Sequence, residues 1–194
     1  MELSTRAMVL GVSLAVATPV ASQAQVPKPA TPVLQKPGIV GFLAMNWGAT
    51  AKNVLDAYGA PLMDQTTPDS VRVIVYKDQV LGKSVLALFY LDRANGLVKG
   101  VYSASYTEGS DCETVFQKFH SFVQRLYPAL PGDEKRQNNE PATPFCDAAG
   151  TGKASWSVAW ADPANGSSVH LTLEPEEKQV EVAYQSRAFK PVKP

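Results

Sequence analysis

Ser110–Tyr127 reads SDCETVFQKFHSFVQRLY, and the rest of the chain is read outward from it. Val115, Phe116, Phe119, Phe122, Val123 and Leu126 recur at three- and four-residue spacings, so they share one face of a helix. Ser110 and Glu113 have capping-box spacing, in which each side chain satisfies an orphan donor of the first turn. Pro128 ends the helix, because it disfavours helical geometry at Tyr127 and has no N–H to donate. Three phenylalanines on one face need a wide apolar surface, and a sheet supplies one. Cys112, in the first turn, is one of only two cysteines. The stretch is therefore predicted to be both the packing centre and a covalent anchor point.

Strands are predicted on both sides of this helix. Before it come Val71–Lys77, Ser84–Asp92 and Leu97–Tyr106, rich in β-branched and aromatic residues and separated by turn residues. Asn95-Gly96 readily supplies the positive φ of a tight connection. After it come Ala154–Ala161, Ser168–Glu174 and Lys178–Gln185. In these, Trp156, Val158, Trp160, Val169, Leu171, Leu173, Val180, Val182 and Tyr184 alternate with polar residues, as in a sheet with one wet face. A first helix is predicted over Thr50–Tyr58, with Thr50 as N-cap, Gly59 as C-cap and Pro61 as breaker. Residues 128–153 show no periodicity and read as a long loop.

The order is helix, three strands, helix, three strands. The expected fold class is α+β, a two-layer sandwich with both helices on one face of an antiparallel sheet. It reads as a duplicated helix-plus-three-strand meander, with pseudo-repeats at 45–107 and 109–186 inside one domain at 38–187. Both helices end in similar breakers, Tyr58-Gly59-Ala60-Pro61 and Tyr127-Pro128-Ala129-Leu130-Pro131.

The run Trp47-Gly48-x-Thr50-x-x-x-Val54-x-x-x-Tyr58-Gly59-x-Pro61, followed by a meander, resembles small exported bacterial domains of the β-lactamase-inhibitor-protein-like fold. The small outer-membrane assembly lipoproteins share that arrangement. The resemblance covers the first unit, and the second only in pattern. It implies a binding or assembly role without catalytic residues. No binding residue carries over, and the lipoprotein cysteine is absent here.

The N-terminus reads as a targeting segment. Arg6 precedes the apolar run Ala7–Ala17, and Ser22-Gln23-Ala24 supplies small residues for a signal peptidase, so cleavage is expected after Ala24. Glu2 runs against the positive start of such a segment, and an uncleaved anchor is the alternative. Residues 25–37 are proline-rich and read as a linker, and 188–194 as a basic, fraying tail. The expected location is periplasmic or secreted. In an oxidising compartment two cysteines have one intramolecular pairing, Cys112–Cys146. A redox pair needs closer spacing.

Composition narrows the function. The 194 residues carry 18 basic and 18 acidic side chains with no dense basic cluster, which argues against nucleic-acid binding. No cofactor or metal is expected. The two histidines, His120 and His170, lie outside any metal-ligand spacing. Gly150-Thr151-Gly152-Lys153 lacks the rest of a phosphate loop and leads into a strand, and Glu176-Glu177 sits at a hairpin tip.

The first three strands are apolar on both faces. With Val73, Val75, Ala87, Phe89, Leu91 and Val101 turned to the helices, the other face carries Ile74, Tyr76, Leu86, Leu88, Tyr90, Tyr102 and Tyr106. Tyr76, Tyr90, Tyr102 and Tyr106 are thus the candidate binding residues, since tyrosine joins an apolar body to a polar tip. A proline-rich segment, the long loop or a second copy covering this face is the alternative. The expected function is an exported, non-enzymatic protein-binding or envelope-assembly module. The alternatives are a small-ligand binder or enzyme with a cleft beside 128–153, and an inhibitor of a secreted hydrolase.

Overall fold

The computed structural model describes residues 38–107 and 111–190. The expected leader, the 25–37 linker, the capping role of Ser110 and the last four residues lie outside them.

Thr50 starts helix α1 (Ala51–Tyr58) with a reciprocal box, its side chain taking the Asn53 N–H while Asn53 takes the Thr50 N–H. Gly59 ends it with φ 76°, where a side chain would be strained. Helix α2 (Asp111–Leu126) buries Cys112, Val115, Phe116, Phe119 and Val123 along one stripe, as the spacing predicts. The strands are β1 (Gly41–Phe42), β2 (Met45–Asn46), β3 (Met63–Thr66), β4 (Arg72–Val80), β5 (Lys83–Asp92) and β6 (Gly96–Ser105). After α2 come β7 (Gly132–Asn138), the short helix α3 (Phe145–Gly150), β8 (Ala154–Asp162), β9 (Ser167–Glu174) and β10 (Gln179–Gln185).

β1 and β2 form a small hairpin, and the other eight strands form one antiparallel sheet in the order β3-β4-β5-β6-β10-β9-β8-β7. Its middle is the β6–β10 pair, in register from Lys99↔Gln185 to Ser105↔Gln179. Strands that precede α2 lie on one side of this seam and strands that follow it on the other. Both longer helices pack on the same face. Tyr58 of α1 meets Tyr76 and Phe89 with ring centroids 5.5 and 5.3 Å apart, and Phe116 of α2 stacks on Trp156 at 4.0 Å. Over the seam, Phe42 of β1 meets Phe89, Tyr102 and Tyr184 at 4.9 to 5.4 Å.

Two expectations change. The 128–153 stretch is not a plain loop, because it contains β7 and α3. β7 is an edge strand whose first six residues are exposed on both faces, so it shows no alternation, and its Asp-Glu-Lys-Arg run is typical of a protected edge. Each meander also has four strands rather than three, since β7 joins the second and β3, the opposite edge, joins the first, exposed throughout and so without alternation.

Cys112 and Cys146 are bonded, with Cα atoms 5.9 Å apart, joining the first turn of α2 to α3. Around this bond Arg136 of β7 lies 4.3 Å from the ring centroids of both Phe145 and Trp156, and pairs with Glu113 at 2.7 Å. α3 is too short to hold itself, so the disulfide and this sandwich are what seat it.

A Cys112→Ser, Cys146→Ser double variant should lose about 3–4 kcal/mol, by the loop-closure entropy of a sequence separation of 34. In thermal unfolding followed by circular dichroism, this lowers Tm by about 10 °C for a domain of this size. An unchanged Tm would show that the packing of Arg136, Phe145 and Trp156 holds α3 without the bond.

Candidate interaction surface

Cross-strand partners share a face of a sheet, so the register decides which side chains turn outward. Ile74 pairs with Phe89, and Tyr76 with Ala87, which pairs in turn with Tyr102. These residues face the helices. Val75 pairs with Leu88, which pairs with Val101, and Val73 pairs with Tyr90, which pairs with Lys99. These face away.

The four candidate tyrosines therefore do not share a face. Tyr76, Tyr102 and Tyr106 are buried in the core on the helix side, and only Tyr90 is on the outer face. Tyr76 spends its hydroxyl on the carbonyl of Gly59, at 3.0 Å. Conversely, Val73, Val75 and Val101 lie outside the core cluster although they are buried. For Val101 and Tyr102 the reason is a β-bulge in β6, whereas β4 is apolar on both faces and its pattern alone does not fix which one turns inward. Tyr90 pairs with Lys99 but Leu91 pairs with Leu97, so Val98 is an extra residue and the alternation of β6 reverses across it. Counting by twos from Leu97 puts Val101 inward, whereas the bulge sends it outward and turns Tyr102 in.

The outer face of the first half thus carries Val73, Val75, Leu86, Leu88, Tyr90 and Val101. Leu86 is 37% exposed, and Leu88 and Tyr90 are half-buried. Across the seam the same face becomes polar, through Glu181, Gln185, Ser168, His170 and Thr172. Where the two parts meet, the Lys99 ammonium lies 5.0 Å from the Tyr90 ring centroid and 5.3 Å from that of Phe189. Burial raises the carboxyl pKa values of Glu174 and Glu181. Mutual repulsion adds at Glu174, and Lys99 opposes the rise at Glu181. Burial, with Lys99 nearby, lowers that of His170, whose Nε2 is 2.9 Å from the Ser168 hydroxyl. The sequence marks Tyr90 but gives no sign of Lys99 or Phe189, because register and a terminal turn bring those together.

His120 is half-buried against Trp160, with ring centroids 5.5 Å apart. Gly150–Lys153 closes α3 and leads into β8. Among the described residues, no group of three His, Cys, Asp or Glu side chains could hold a metal ion. No described helix is long and apolar enough to cross a membrane. An open depression of about 700 Å³ lies along α2, lined by Leu81 and by polar residues from Glu113 to Arg125. No described residue of 128–153 lines it, so it is not the expected cleft beside that stretch.

Burial holds the core phenols neutral. It pushes Tyr127 up to about 12, and raises Tyr102 and Tyr184 well above the ordinary value. Because the folded values exceed the unfolded one, this contribution to stability is complete below about pH 10 and is lost as pH climbs through the folded values. Absorbance at 295 nm should therefore show fewer than seven tyrosines ionising reversibly near pH 10, with the buried ones appearing only as the fold is lost. Seven ionisations near pH 10 with native circular dichroism would contradict the buried placement.

Compared with known proteins, the chain matches no family model, no curated protein and no solved structure.

Proposed function

We propose that this protein is an exported, non-enzymatic binding or envelope-assembly module that engages a protein partner through the outer face of β4, β5 and β6. The supporting observation is the apolar set Val73, Val75, Leu86, Leu88, Tyr90 and Val101, which faces away from both helices and lies outside the core cluster. Val73, Val75 and Val101 form a buried floor under Leu86, Leu88 and Tyr90, which are the accessible members, and exposed apolar patches are characteristic of interaction sites, with tyrosine suited to the rim. The polar outer face of β8, β9 and β10 bounds the patch and gives it a direction.

A periplasmic or secreted location fits the Cys112–Cys146 bond, since such bonds persist in oxidising compartments. We read the leader as removed after Ala24. We also read the two halves, each a helix followed by a meander, as a duplication. The symmetry of the strand order about the β6–β10 seam favours that reading.

The test is affinity capture from a periplasmic extract with the chain from Gln25, beside a Leu86→Ser, Tyr90→Ser variant that melts like the parent. A partner held by the parent and reduced at least about tenfold by the variant is expected, since two truncated anchors in an interface remove more than about 1.4 kcal/mol. Equal capture by both would place the binding surface elsewhere.

A further inference from the structure

The chain does not leave the sheet at the end of β10. The Ser186 N–H donates to the Val98 carbonyl at 2.9 Å, next to the bulge. The Ala188 N–H then donates to the Ser186 hydroxyl at 3.2 Å, and the Phe189 N–H to the Ser186 carbonyl at 3.0 Å. This tight turn returns Phe189 to the outer face, where its half-buried ring lies 5.3 Å from the Lys99 ammonium that also sits over Tyr90. Arg187 rests on Gly166 of the β8–β9 turn, where an added Cβ would meet its own at 3.3 Å. None of the five ion pairs among the described residues includes Lys99. Its ammonium instead lies over two aromatic rings, those of Phe189 and of the one candidate tyrosine that faces outward. The described part of the expected fraying tail is therefore docked.

The contacts described for this segment are backbone hydrogen bonds, the Phe189 ring on the Lys99 ammonium, Arg187 on a turn and the attraction of Lys190 for Asp92. A segment with so few contacts opens at far lower cost than the sheet beneath it. We propose that Ser186–Lys190 is a strap that occupies the edge of the binding face, and that a partner must displace Phe189 to reach Tyr90 and Lys99. This rests on the outer face being the binding surface. The strap keeps Lys99 and Tyr90 from unspecific contact and makes access to them depend on what replaces the Phe189 ring.

Acylation of the full chain with an amine-reactive ester, read lysine by lysine by mass spectrometry, tests the shield without any partner. Lys77, an exposed lysine on β4, is the internal reference. In the parent, Lys99 should react more slowly than Lys77. Phe189→Ala should speed Lys99 roughly three- to fivefold, the factor that loss of one cation–π contact at a partly exposed site allows, with Lys77 unchanged. Phe189→Leu, which keeps an apolar cover, should give a smaller rise. An unchanged Lys99 rate in Phe189→Ala, or an equal rise at Lys77, would overturn the strap. In the capture experiment Phe189→Ala should retain more partner than the parent. Equal or weaker retention would overturn the displacement step, whereas capture of nothing by any variant would count against the binding reading and leave the shield to the acylation result.

Discussion

The ring of Phe42 lies where a side chain at position 100 would have to go. A Cβ on Gly100 would fall against the Phe42 ring atoms, so a glycine is required in the middle of β6. That approach lets Phe42 reach Phe89 on one side of the seam and Tyr184 on the other, with Tyr102 between. The rings and the seven-residue β6–β10 ladder are what turn two meanders into one sheet. Without the ladder each meander would present a bare central edge, and sheet edges are liable to unspecific pairing.

A polar network keeps Phe42 in place. Asp162, at the end of β8, is buried and accepts the Ile39 N–H at 2.9 Å, and its side chain also takes donors from Ala164 and Asn165. The Trp47 indole donates to the Ile39 carbonyl and the Ser167 hydroxyl, both at 3.1 Å. Residues before α1 are thus bound to the β8–β9 turn more than 100 positions later. Removing one partner of such a network strands the others without water, which makes it a strong constraint on register. Toward the other end of β8 the Cys112–Cys146 bond and the Arg136 sandwich do the corresponding task for α3 and the β7 edge.

Elements with strong periodicity were legible in the sequence. The stripe from Val115 to Val123 defines α2, Thr50 and Gly59 bound α1, and the tryptophans of β8 face inward as their alternation requires. Elements lacking a buried face were not legible, since β3 and β7 have no alternation to read. The facing of β4, β5 and β6 was ambiguous for a different reason. Both faces are apolar, so the pattern has no sign, and the bulge at Val98 reverses it partway along β6. For that reason three of the four candidate tyrosines belong to the core. Of the outer apolar set, Leu86, Leu88 and Tyr90 were assigned to the outer side from the sequence, whereas Val73, Val75 and Val101 were assigned to the wrong one.

The most direct test of the seam is native-state hydrogen exchange on Gly100→Ala. An added methyl must push Phe42 off β6, at a cost of about 2–3 kcal/mol for overpacking. If the Phe42–Gly100 contact joins the halves, amides of Ile74 and Phe89 and those of Val158 and Leu171 should lose protection together, by roughly a hundredfold. Loss confined to β5 and β6, with Val158 and Leu171 as protected as in the parent, would contradict it and show two halves that fold independently.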